Sequence, residues 1–126
     1  MSIDNNLYEK SIKILTDLIA FKTISGQDNS NLIDYCEKIL NNIGIDTFKV
    51  YDDDKKRVNL FGTLKAKNQS SKKPIILSGH TDVVPVSKGW SSDPFVATIK
   101  NDKLYGRGSC DMKGFIACTL AYAPIF

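Results

Sequence analysis

Three side chains in this 126-residue sequence have the types and spacing that metal chemistry needs: His80, Asp82 and Asp111. His80 is the sole histidine and lies within Ser78-Gly79-His80-Thr81-Asp82-Val83-Val84-Pro85. A neutral imidazole is a good ligand for zinc, and it needs an acceptor on its other nitrogen to fix tautomer and ring orientation. Asp82, two residues on, falls on the same side of an extended backbone and can meet that need or act directly near a reaction. Asp111 stands in Tyr105-Gly106-Arg107-Gly108-Ser109-Cys110-Asp111-Met112-Lys113-Gly114, where two glycines flank an arginine just before an aspartate that opens a helix. A carboxylate has one oxygen for each of two divalent cations and is their natural bridge. Each residue also has a plainer role open to it. His80 can be a hydrogen-bonded strand end, Asp82 the start of a turn, and Asp111 a helix cap.

The neighbours of Asp111 divide similarly. Arg107 and Lys113 either position the loop or meet a carboxylate, or they serve a solvated or structural role. Cys110 beside a ligand candidate invites inclusion, but a small buried thiol is the better reading, and it is left out of the site.

These residues need elements to hold them. Apolar side chains at Leu7, Ile12, Ile14, Leu15, Leu18, Ile19 and Phe21 recur at the three-to-four spacing of an amphipathic helix, with Asp4 or Asn5 as its cap. After a loop over Lys22 to Ser30, a second helix capped by Ser30 places Leu32, Ile33, Tyr35, Cys36, Ile39, Leu40 and Ile43 on one face and stops at Gly44. The period then shortens to two. Ile45 to Val50 and Val58 to Leu64 read as strands joined by the turn Asp52-Asp53-Asp54-Lys55-Lys56. Lys67 to Lys73 reads as a polar surface connection, and Pro74 to His80 as a strand buried on both faces. Phe95 to Lys100 and Lys103 to Tyr105, joined by Asn101-Asp102, read as a hairpin, and Met112 to Tyr122 as a helix. This order predicts an α/β fold, a mixed sheet with flanking helices. His80 would then lie at the carboxyl end of a central strand, where ligand sites gather in such sheets.

Composition excludes several other classes. The net charge of +3 arises from 17 basic and 14 acidic side chains, with the lysines scattered rather than arranged in a stripe, so no nucleic-acid partner is expected. Apolar runs fall far short of the roughly 20 residues that span a bilayer, and the first residues lack the charge and apolar block of a signal peptide. With Cys36, Cys110 and Cys118 forming no Cys-x-x-Cys pair, free thiols in a reducing, cytoplasmic setting are expected. The apolar helical pattern running up to Ala123-Pro124-Ile125-Phe126 without a polar tail reads as an interruption.

The two segments around His80 and Asp111, with Gly89-Trp90-Ser91-Ser92-Asp93-Pro94-Phe95 between them, resemble the di-zinc amidohydrolases and exopeptidases. That family includes acetylornithine deacetylase, succinyl-diaminopimelate desuccinylase, aminoacylases and glutamate carboxypeptidases. The resemblance covers essentially the whole chain, and Trp90 to Phe95 with Ser109 to Gly114 looks most like the acetylornithine-cleaving members. It implies that His80 ligates one metal ion, that Asp111 bridges two divalent ions, zinc or alternatively cobalt, and that Asp82 orients His80. It further implies an N-acyl amino acid as substrate and a homodimer for the full-length protein. Residues 1–126 would be the N-terminal portion of the catalytic domain. The general-base glutamate, the other ligands and the dimerisation domain would lie beyond, leaving this portion inactive by itself. A non-catalytic remnant or interaction module is the reading from another class.

Overall fold

The computed structural model describes residues 5–66 and 73–126. The first helix, α1, is Asn5–Ala20, and its apolar spacing buries Ile14, Leu18 and Ile19 on one face. Asn5 is its first residue rather than its cap, and Asp4 lies outside the described residues. The second helix, α2, is Ser30–Asn41, with Asn29 and not Ser30 in the cap position. The Asp28 carboxylate accepts the backbone N–H of Ser30 at 2.7 Å. A charged acceptor suits the positive end of a helix better than a hydroxyl does. At the other end the Gly44 amide donates to Asn41 O at 3.0 Å and the Ile45 amide to Leu40 O at 3.1 Å. This is the Schellman closure, and it needs the positive φ of 77° that Gly44 adopts.

Two strands follow, β1 (Asp46–Tyr51) and β2 (Val58–Thr63), paired antiparallel from Asp46 opposite Thr63 to Tyr51 opposite Val58. The Asp52 carboxylate shapes their turn by accepting the backbone N–H groups of Lys56 and Arg57. The inner side of this hairpin meets α2 and buries Val58, while Phe48 and Phe61 stack across the strands on the outer side, 4.7 Å between centroids. A second hairpin joins β3 (Thr98–Lys100) to β4 (Lys103–Tyr105). Asn101 and Asp102 at its tip both have positive φ, 51° and 57°, as a two-residue type I′ connection demands.

The last helix, α3 (Lys113–Tyr122), is apolar on nearly every side and runs into a short 3-10 turn, Ala123–Ile125. It packs against α1 and touches α2. The core is the set of side chains where these helices meet β2: Ile14, Leu18, Leu32, Val58, Ala117 and Leu120 among them. Among the described residues no helix is long and apolar enough to cross a membrane.

One expectation fails. Pro74 to His80 is not a strand buried on both faces: it joins no ladder, and Ile75 and Ile76 are 89% and 83% exposed. An apolar run is buried as a strand only where neighbouring strands take its backbone groups and layers cover both faces. Neither hairpin does so here. The α/β class with helices packed on strands stands, but among the described residues the strands form two separate antiparallel pairs and not one mixed sheet. The parallel component is the single bridge between Ile24 and Val83. The expected connection over Lys67 to Lys73 lies outside the described residues except for Lys73, which is exposed.

Candidate metal centre

The segment that carries His80 is held by the loop between α1 and α2, and not by a strand ladder. Val83 N–H donates to Thr23 O and Ser25 N–H to Val83 O, both at 2.9 Å. The buried Thr23 hydroxyl donates to Thr81 O at 2.7 Å. Asn29 adds a second tie: its side-chain amide donates to Thr81 Oγ1 and Val58 O and accepts from Val58 N–H. A polar stretch that reads as a surface loop is thus the clamp on the site segment. The signal was there in Thr23, Ser25 and Asn29, three of the loop residues able to bond to a passing backbone.

Asp111 arrives from the opposite direction. Lys113 N–H donates to Gly108 O at 2.9 Å and Ser109 N–H to Gly106 O at 3.1 Å, which folds residues 106–113 into a compact turn before α3. Met112 occupies the cap position of α3, so Asp111 is not the helix cap. Its carboxylate reaches His80 instead, with Oδ1 3.0 Å from Nε2. On its other side the His80 ring places Nδ1 3.0 Å from Asp82 O and 3.3 Å from Asp82 Oδ1. His80, Asp82 and Asp111 are therefore brought together from two separate loops, all with substantial exposure.

With both ring nitrogens facing oxygen acceptors, the imidazolium satisfies every contact. Partial burial works against that charge, but the Asp111 hydrogen bond, the Asp82 carbonyl and the two carboxylates outweigh it and hold His80 above its ordinary value. The cleft between the loops, about 240 Å³ and lined by Ser25, His80, Asp82, Arg107 and Asp111, is smaller than the ~300–1,000 Å³ of sites that enclose a whole organic ligand.

The donors fit a divalent ion in kind. Imidazole nitrogen and carboxylate oxygen are zinc ligands, and two donors on one tetrahedral zinc stand about 3.4 Å apart, a few tenths of an ångström more than the observed pair. They do not fit in number. Zinc takes about four donors, and among the described residues no group of three or more His, Cys, Asp or Glu side chains converges in a metal-holding set.

The neighbouring residues separate clearly. Lys113 is fully buried, with Nζ donating to Leu18 O at 2.9 Å and Phe21 O at 2.7 Å at the end of α1. Arg107 lies over the Trp90 ring at 5.2 Å and donates to Pro85 O. Both are structural ties to the loop. Cys110 is exposed, against the expectation of a buried thiol, because the turn directs that position outward into the cleft. The buried thiol is Cys36, pushed up to about 12 by burial.

Gly108 is the residue the turn depends on. Its φ is +82°, and a Cβ there would lie 2.6 Å from Val83 Cγ1. Gly108→Ala is expected to cost about 2–5 kcal/mol, adding a left-handed penalty of ~1–2 to an overpacking cost of ~1–3. Chemical denaturation of the two proteins measures it, and an unchanged midpoint refutes the account.

Residues 76–126 match the model of peptidase family M20/M25/M40. The chain is 57% identical over 47 residues to succinyl-diaminopimelate desuccinylase of Gluconobacter oxydans, 37% of this chain and 12% of that protein. It is 40% identical over 109 residues to acetylornithine deacetylase of Myxococcus xanthus, 84% of this chain and 28% of that protein. Among solved structures it is similar to human carnosine dipeptidase 1, with a TM-score of 0.76 at 22% identity, over 97% of this chain and 30% of that one. The chain thus spans less than a third of each of these proteins.

Proposed function

We infer that this chain, whose residues 76–126 match the model of peptidase family M20/M25/M40, belongs to that family and is the N-terminal portion of the catalytic domain of a metal-dependent hydrolase that cleaves the amide bond of an N-acyl amino acid. The observation that carries the reading is the meeting of His80 Nε2 with Asp111 Oδ1 at 3.0 Å, from two loops, while the other ring nitrogen rests on Asp82. In this reading His80 and Asp111 would hold divalent ions, zinc or cobalt, His80 as an imidazole donor and Asp111 as a carboxylate able to serve two. The remaining donors and the general base belong to the rest of a full-length protein.

When bound, the ions would lower the pKa of a water toward neutrality and polarise the amide carbonyl. The residues of this chain prepare the place for them. With an ion in place of the Nε2 proton, Asp82 would keep Nδ1–H on its carbonyl, with its carboxylate 3.3 Å away, and so leave the Nε2 lone pair for the ion. Asp111, 86% exposed at its side chain, keeps a carboxylate at the mouth. The substrate is a small molecule, and the three free thiols suit a cytoplasmic setting.

The first reading of the substrate is N-acetylornithine, supported by Trp90 to Phe95 and Ser109 to Gly114. A specific observation favours a second: a 47-residue segment is 57% identical to a succinyl-diaminopimelate desuccinylase. Hydrolysis of the two substrates by the full-length protein decides between them. A preference of roughly 100-fold in kcat/KM for N-acetylornithine is expected, the scale on which a pocket distinguishes acyl groups. The reverse preference assigns the desuccinylase activity, and turnover of neither favours a non-catalytic interaction module.

A further inference from the structure

We propose that Ser25 is a positioning residue of the candidate metal centre, the outermost member of a chain that runs from its hydroxyl through Asp82 to the His80 ring. The proposal rests on the metal reading above. Ser25 Oγ donates to Asp82 Oδ2 at 2.5 Å, while the other carboxylate oxygen, Oδ1, lies 3.3 Å from His80 Nδ1. A carboxylate on an exposed segment turns about its own side-chain torsions, and a 3.3 Å contact with a ring nitrogen whose hydrogen bond goes to Asp82 O does not stop it. Bonding the far oxygen does: it fixes the carboxylate plane, so that Oδ1 faces Nδ1 and the ring presents Nε2 toward Asp111.

What makes Ser25 suited to this is that its own position does not depend on the bond it makes. The backbone on both sides of the Ile24–Val83 bridge is fastened by Ser25 N–H to Val83 O and Val83 N–H to Thr23 O. The Thr23 hydroxyl anchors the same segment at Thr81 O. Removing the Ser25 hydroxyl therefore leaves the backbone bonds of the clamp intact and frees the Asp82 carboxylate, with the loss besides of only a long 3.4 Å contact to Val83 O. The effect must reach the metal through two side chains, so it lowers affinity without deleting a ligand. Losses of about 10–100-fold are typical of groups that hold a metal ligand from behind.

The test uses the full-length protein, with zinc dissociation constants measured by competition against a chelator for wild type, Ser25→Ala, Ser25→Thr and His80→Ala. Ser25→Ala is expected to weaken zinc by about 10-fold or more, with an unchanged circular dichroism spectrum and unfolding midpoint, and Ser25→Thr to restore it. Affinity in Ser25→Ala within twofold of wild type overturns the proposal, as does a threonine variant as weak as the alanine one. His80→Ala is the reference. If it abolishes zinc binding at its position while Ser25→Ala does not, the Ser25 proposal alone falls. If His80→Ala leaves zinc binding unchanged, the metal reading falls and takes the proposal with it.

Discussion

Asp111→Ala in the full-length protein is expected to lower kcat/KM by about a thousandfold, with loss of bound metal, and to leave the folding stability of the metal-free protein unchanged. The size follows from the role. A residue that only supports a ligand is worth ~10–100-fold in affinity or activity, whereas a bridging carboxylate holds two ions whose charge stabilisation is worth several kcal/mol, and about 4 kcal/mol corresponds to ~10³. Stability follows from the geometry. The Asp111 side chain is 86% exposed and does not cap α3, so its removal falls among surface changes of about ±0.5 kcal/mol. Asp111→Asn sharpens the test, because it keeps the shape and one carbonyl oxygen but loses the charge that two cations need. Metal analysis and steady-state kinetics on the same samples, beside a thermal unfolding curve, make the measurement. Full activity and full metal content in Asp111→Ala show that Asp111 is not a ligand. A large fall in the stability of the metal-free protein shows that its role is in the fold.

Whether such a residue is legible in sequence depends on how locally its partners are encoded. The helices and hairpins were legible because their signals are local: the spacing of Ile14, Leu18 and Ile19, the glycine at Gly44, and the Asn101-Asp102 tip each act within a few residues. His80, Asp82 and Asp111 stood out by type and spacing, and their meeting across 31 positions was implied by a resemblance rather than by periodicity. What was not legible depends on distant partners. Pro74 to His80 has the composition of a buried strand, yet composition cannot state whether strands lie beside it, and Ile75 and Ile76 are exposed. Ser25 looked like any loop serine, because its hydrogen-bond partner lies 57 residues away. Lys113 stood open between positioning the loop, meeting a carboxylate and a solvated or structural role, and nothing local singles out the structural one; among the described residues it is one of the largest fully buried side chains.

Lys113→Ala is accordingly expected to destabilise the protein by about 3–5 kcal/mol, while Lys113→Met stays within about 1.5 kcal/mol of wild type. The argument separates volume from charge. The stem of Lys113 fills the space beneath Gly108, whose built Cβ would lie 3.2 Å from Lys113 Cδ, and its truncation leaves a cavity between α1, α3 and the Asp111 turn. The ammonium contributes in two opposed ways. Its bonds to Leu18 O and Phe21 O close the end of α1, where a positive charge also meets the negative end of the helix. Yet burial pushes it down to about 8, so keeping it charged is a burden on the native state. The two carbonyls are not orphaned without it, since each also accepts a backbone N–H, from Phe21 and Thr23. Methionine therefore retains the filled volume, loses two bonds and sheds the desolvation cost, and these nearly cancel. The pH dependence carries a definite sign. A lysine whose native value lies below its ordinary ~10.5 is protonated in both states below about pH 8, where its full cost is present. Between about 8 and 10.5 the native state has released a proton that the unfolded chain still holds, so stability rises with pH. Urea unfolding across that window is expected to show this rise in wild type and a flatter profile in Lys113→Met. An equal loss in the alanine and methionine variants assigns the stabilisation to the ammonium and its two bonds, and refutes the volume account.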